Sequence, residues 1–129
     1  MRWVATLDID KDRAPTNRAS RGHWTKRADV IREIREDIKL LCWERGNKAP
    51  HFTTPVTIDV RLECRRGGGA RRLDTDAGYA VAKAAVDGLR DARVIVNDTP
   101  EWVHWIRHWG PVWSDDGRDA IRIEVASAT

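Results

Sequence analysis

Three aspartates and one lysine carry the strongest chemical signal in this sequence. Asp74 and Asp76 form a D-x-D, Lys83 follows, and Asp98 lies beyond the next apolar stretch. In an extended segment residues i and i+2 share a face, so both carboxylates of the D-x-D can point to one side of a sheet edge. A third carboxylate folded back to that point repels the first two unless a cation lies between them, and a hard divalent cation with oxygen ligands fits. Arg65, Arg66, Arg71 and Arg72 surround the acidic point with positive charge. Phosphodiester chemistry needs that combination: a cation for the reacting phosphate and a basic rim for its neighbours. Each residue also has a plainer role. Asp74 or Asp76 can cap the following helix, Asp98 can shape the turn before Pro100, and Lys83 can pair with Asp87 for only ~0.2–0.5 kcal/mol.

Other chemistries find less support. His104 and His108 have the i, i+4 spacing of helical metal ligands but fall in a strand-like stretch with no third ligand nearby, which makes them surface or DNA-facing histidines. Cys42 and Cys64 lack a C-x-x-C spacing and read as reduced core thiols. No G-x-S-x-G occurs, and Gly67–Gly69 are not followed by the G-K-[ST] of a phosphate loop. Of the seven tryptophans, Trp102, Trp105, Trp109 and Trp113 cluster in one short stretch. Such a cluster is either core and dimer contact, the reading we favour, or a stacking surface for unpaired bases.

The scaffold for these side chains is one domain, residues 1–129, long enough for a real core. A net charge of +3 makes the local distribution matter more than the total. Two segments are basic: Lys11 to Arg27, and Arg61 to Arg72. No apolar run approaches the ~20 residues needed to span a bilayer, and the N-terminus lacks a signal-peptide core, so no membrane partner is expected and the cytoplasm is the expected location. Arg2–Ile9 reads as a strand, and Asp10–Trp24 as a long basic loop. Ala28, Ile31, Ile34, Ile38, Leu41 and Cys42 define a helical stripe over 25–45, stopped at Gly46. Val56, Ile58, Val60, Leu62 and Cys64 alternate with polar residues in a half-buried strand. A second helix covers Ala77–Ala92, followed by a short strand at Val94–Val96, a strand over Trp102–Trp109, hairpin material at Gly110–Gly117 and a last strand at Ala120–Val125. The order is roughly β-α-β-α-β-β-β: an α/β domain with a mixed sheet and two main helices.

The segment from Arg71 to Asp98 resembles the RusA family of Holliday junction resolvases. The resemblance rests on the arginines before Asp74-Thr75-Asp76, the run Lys83-Ala84-Ala85-Val86-Asp87-Gly88-Leu89, and the acid at Asp98. It extends loosely over the rest of the chain, through the basic loop with Pro15, Asn17 and Arg18 and the strand ending near Cys64. The resemblance implies a homodimeric, Mg²⁺-dependent endodeoxyribonuclease, with Mn²⁺ able to substitute, that nicks four-way DNA junctions in a bacterial or phage-infected cell. By residue, Asp74, Asp76 and Asp98 match the family's metal carboxylates and Lys83 its catalytic lysine. The basic loops would bind the arms through phosphates, with Arg18, Arg21, Lys26, Arg65, Arg66, Arg71 and Arg72 as contacts. The chain departs from the family at Ala77 and Gly78, where asparagine and leucine are usual, and at Asn97, where the usual acid pair keeps only Asp98. Lys83 also lies about one helical turn farther from the D-x-D than in the best-known members. Two alternatives stand beside this expectation: a junction- or single-strand-binding protein with weakened or lost cleavage, and a nuclease acting on flaps or forks.

Overall fold

The alternation of apolar and polar residues in Val56–Cys64 resolves into a central strand. Val56, Ile58, Val60, Leu62 and Cys64 are all buried on one face. The computed structural model describes residues 1–8, 24–44, 46, 48–64, 75–114, 117 and 119–128, and not the side chains of 24–30, 75–77, 110 and 111. These residues form β1 (Arg2–Asp8), α1 (Trp24–Trp43), β2 (Val56–Cys64), α2 (Thr75–Asp91), β3 (Val103–Trp113) and β4 (Ala120–Ser127). The fold is a small α/β domain with two helices and a mixed four-stranded sheet in the order β1-β4-β2-β3. β4 runs antiparallel to both β1 and β2, whereas β3 runs parallel to β2. A parallel pair needs a crossover, and α2 supplies it.

The core lies between one face of the sheet and the two helices. Ile34, Ile38, Leu41 and Cys42 of α1 and Val81, Ala82, Ala85, Val86 and Leu89 of α2 meet Ile58, Val60, Ile121, Ile123 and Val125 from the sheet. The alanines of α2 leave little side chain between the helices. An added Cβ at Gly88 would lie 2.8 Å from the backbone oxygen of Arg35 and 2.9 Å from Cγ2 of Ile38. Burial pushes the Cys42 thiol up to about 12 and that of Cys64 to about 11, and both cysteines are free. Among the described residues, no helix is long and apolar enough to cross a membrane.

Three local expectations change. Val94–Val96 is not a strand, because its backbone closes α2. Arg93 adopts φ 62°, its N–H bonds the Arg90 carbonyl, and the Val94 N–H bonds the Leu89 carbonyl at 3.0 Å. This is the Schellman arrangement, with buried Val94 against buried Leu89. Gly110–Gly117 does not form a hairpin. β3 continues to Trp113, and the chain then passes over the end of β2, where the Ser114 N–H bonds the Cys64 carbonyl at 2.7 Å. β3 and β4 flank β2 and never pair with each other. Two register shifts each add one residue to β3, His104 being the first. An edge strand tolerates the second, at Gly110-Pro111, because proline has no N–H to lose there. Finally, Trp105, Trp109 and Trp113 are 38%, 48% and 43% exposed, so they are not core.

Candidate functional site

The helical repeat of α2 lines up Tyr79, Lys83 and Asp87 at successive i, i+4 positions, with Ala82 and Val86 beside them. This ridge faces Ile106 and His108, which point to the same side of β3. The turn between α2 and β3 brings Asp98 back to the same place. Together they line a cavity of about 200 Å³ between α2 and the edge of the sheet. The cavity thus unites Lys83 and Asp98, two of the four residues to which the sequence assigned chemistry.

Asp98 is held from two sides. Its backbone N–H bonds Oδ1 of Asn97 at 2.9 Å, and its Oδ2 lies 3.3 Å from Nη1 of Arg90. Both partners in the ion pair are partly exposed, at 39% and 34% of their side-chain surface, so the pair is weak and displaceable. The amide oxygen of Asn97 thus anchors the backbone of Asp98. Asp87 does not serve as a helix partner for Lys83. Its nearest cation is Arg35 of α1, at 3.9 Å. Lys83 itself is exposed at the cavity rim.

Sequence reasoning missed Tyr79 and Arg90 and undervalued His108. Tyr79 and His108 meet edge to face, with ring centroids 5.7 Å apart at 76°. The Nδ1 atom of His108 is buried without a hydrogen-bond partner. The i, i+4 spacing from Tyr79 to Lys83 was a usable signal. His108 left none, because only the parallel pairing of β3 with β2 turns it toward α2. His104, the bulge residue, is exposed and does not line this cavity.

The D-x-D geometry needs correction in part. α2 begins at Thr75, two residues earlier than expected, so Asp76 belongs to its first turn. Residues i and i+2 in a helix are about 200° apart, and the shared-face argument from an extended segment no longer applies to Asp76. Asp74 and the Asp76 side chain lie outside the described residues. So do Arg18, Arg21, Arg65, Arg66, Arg71 and Arg72, and the side chain of Lys26. Among the described residues, no group of three His, Cys, Asp or Glu could hold a metal ion. A larger hollow of about 600 Å³ lies at the C-terminal ends of the helices, lined by Trp43, Lys48, His51 and Arg93 among others, with no carboxylate among the described lining residues.

No protein-family model matches the chain, and no curated protein matches it in sequence.

Proposed function

We propose that this chain is a magnesium-dependent endodeoxyribonuclease that cuts four-way DNA junctions as a homodimer. The observation that carries the reading is the meeting of Lys83 and Asp98 at one cavity on α2, the helix whose first turn contains Asp76. The family resemblance assigns the same residues to the reacting centre, and the cavity supports that assignment from independent geometry. Carboxylate oxygens are the donors a hard cation takes, and Asp98 is accessible and only weakly paired. Asp74, Asp76 and Asp98 would hold Mg²⁺, with Mn²⁺ able to replace it. Such an ion, when bound, lowers the pKa of a bound water and offsets charge on the scissile phosphate.

The chain's own groups account for the rest. The Lys83 ammonium supplies a point charge to a phosphate oxygen at the rim, where charge builds in the transition state. Arg90 holds Asp98 toward the cavity until a stronger cation competes. Asn97 orients the same residue through its backbone. The basic segments Lys11 to Arg27 and Arg65 to Arg72 contribute sequence-independent phosphate contacts.

The test is cleavage of labelled four-way junction, fork, flap and duplex DNA with Mg²⁺ or Mn²⁺. Asp98→Asn and Asp76→Asn keep side-chain size and capping ability but remove charge. Junction cleavage should fall by orders of magnitude in each, with melting temperature and metal-free junction binding retained. Near wild-type cutting by either variant would remove that aspartate from the reacting centre. The Arg90–Asp98 ion pair favours one second reading, a protein that binds junctions or single strands without cutting them. Tight binding with no cleavage of any substrate in either metal would establish it, and preferential cutting of forks or flaps would replace junctions as the substrate.

A further inference from the structure

The helices cover only one face of the sheet, and no described element covers the other. The register arranges that open face in rows. Trp105, Thr57, Ala126 and Arg2 form one row; Arg107, Asp59, Glu124 and Val4 the next; Trp109, Arg61, Arg122 and Thr6 the third. Two exposed indoles therefore stand along β3 with Arg107 between them. Its guanidinium carbon is 4.1 Å from the Trp105 ring centroid and 5.8 Å from that of Trp109. A shallow groove of about 370 Å³ runs across the lower rows, floored by Arg61, Arg122 and Asp59 and walled by Trp109.

Among the described residues, this face carries four arginines, Arg2, Arg61, Arg107 and Arg122, and four carboxylates, Asp8, Asp59, Glu63 and Glu124. Arg2 pairs with Glu124 at 2.6 Å and Arg107 with Asp59 at 3.0 Å. Arg61 and Arg122, directly opposite each other, share the single carboxylate of Glu63 at 3.8 and 3.6 Å. Like charges facing each other across an antiparallel pair are destabilising. Glu63 is 4% exposed, and Asp8 lies in its row across Ala120, so the exposed Arg61 and Arg122 side chains stand beside the Trp109 ring with these carboxylates to one side. Every base has a face that can stack on an indole, and every nucleotide brings one phosphate, so the pair of features matches an unpaired nucleotide.

We infer that the open sheet face binds single-stranded nucleic acid, stacking a base on Trp109, with Trp105 as a second platform, and seating a phosphate between Arg61 and Arg122. A second copy of the chain is the competing occupant of an aromatic, arginine-bearing face. Two exposed guanidinium groups beside an indole suit a phosphate and its base more closely than a second copy of the same arginine-bearing face. The Lys83 and Asp98 cavity lies on the opposite face of the same edge strand, so a strand bound here reaches that cavity by passing around β3.

The experiment is fluorescence anisotropy of a labelled oligothymidylate in EDTA, which removes any dependence on metal or cleavage. Trp109→Ala should weaken binding roughly 5- to 150-fold, the range for losing one stacked base. Trp109→Phe should retain most of the affinity. Arg61→Gln should weaken binding and flatten the log-log salt slope by about 0.7, the value for one lost phosphate contact on a single strand. Trp43→Ala, which removes an exposed indole from α1 on the other side of the sheet, should bind as the wild type does. Unchanged affinity in both Trp109→Ala and Arg61→Gln would overturn the inference, as would an equal loss in Trp43→Ala. A wild-type dimer that becomes monomeric in Trp109→Ala would instead assign the face to a second copy. Loss of junction cleavage with oligothymidylate binding intact would count against the nuclease reading alone.

Discussion

Arg35 ties the two helices together with a two-pronged contact. Its Nε and Nη2 donate to the two carboxylate oxygens of Asp91 at 2.6 and 2.9 Å. That hydrogen bonding, and then the charge of Arg35 with help from Arg90 and Lys39, keeps the Asp91 carboxyl below its ordinary range despite partial burial. A folded pKa below the unfolded value of about 3.9 gives stability that is complete above that value and lost as pH falls through the folded one. Asp91→Asn should therefore cost about 1 kcal/mol at neutral pH, as for a well-formed but part-exposed pair. The difference from wild type should shrink as pH falls below the ordinary carboxylate range and through the lowered pKa of folded Asp91. Urea denaturation across a pH series measures this, and a constant difference would show that the carboxylate's charge is not the source. At this scale residue types alone picked out Lys83 and Asp98, which line one cavity. The tyrosine and histidine that complete its wall were not, because residue type says nothing about which strand will lie against which helix.

Two positions in α2 show how elements constrain sequence. Gly88 is where α1 comes closest, and an alanine there must move the Arg35 backbone or the Ile38 side chain. Better helix propensity, worth up to ~1 kcal/mol, offsets part of that strain. The net result should be a loss of about 1–2 kcal/mol for Gly88→Ala, as for other overpacked contacts. Unchanged stability in thermal or urea melts would mean that the helices separate freely. Arg93 has the opposite problem. It occupies the left-handed position of the helix end, which costs a side-chain-bearing residue roughly 1 kcal/mol. Arg93→Gly should raise stability by about 0.5–1 kcal/mol, since only backbone groups make the cap and the carbonyl that His51 bonds is retained. A lower melting temperature would mean that the Arg93 side chain does more than its exposed position indicates. The stripes of α1, β2 and β4 were legible because their apolar residues match the helical or strand period. Val94–Val96 misled because β-branched residues such as the buried Val94 and Ile95 also suit the end of a helix cap.

As a whole, the molecule presents two unlike faces of one edge strand. The helix side carries the cavity lined by Lys83 and Asp98, and the open side carries Trp105, Arg107 and Trp109. On the proposed reading, paired incision of a junction needs two reacting centres, and the described residues bring Lys83 and Asp98 together at one cavity per chain. Light scattering should therefore give twice the 14.7 kDa chain mass, alone or on junction DNA. A monomer mass under both conditions would weigh against paired cutting while leaving single nicks at forks or flaps open.

The sequence by itself determined the α/β class, the apolar stripes of α1, β2 and β4, the buried thiols, and the residues carrying charge suited to phosphate chemistry. Those features follow from local periodicity and side-chain chemistry, which act over a few residues. Only the tertiary structure decided that β3 pairs parallel with β2 and that β4 slots between β1 and β2. The same pairing exposes the tryptophans and turns His108 toward Tyr79. Strand order depends on which long-range pairing buries the most apolar surface at the least loop cost. No window of neighbouring residues contains that comparison.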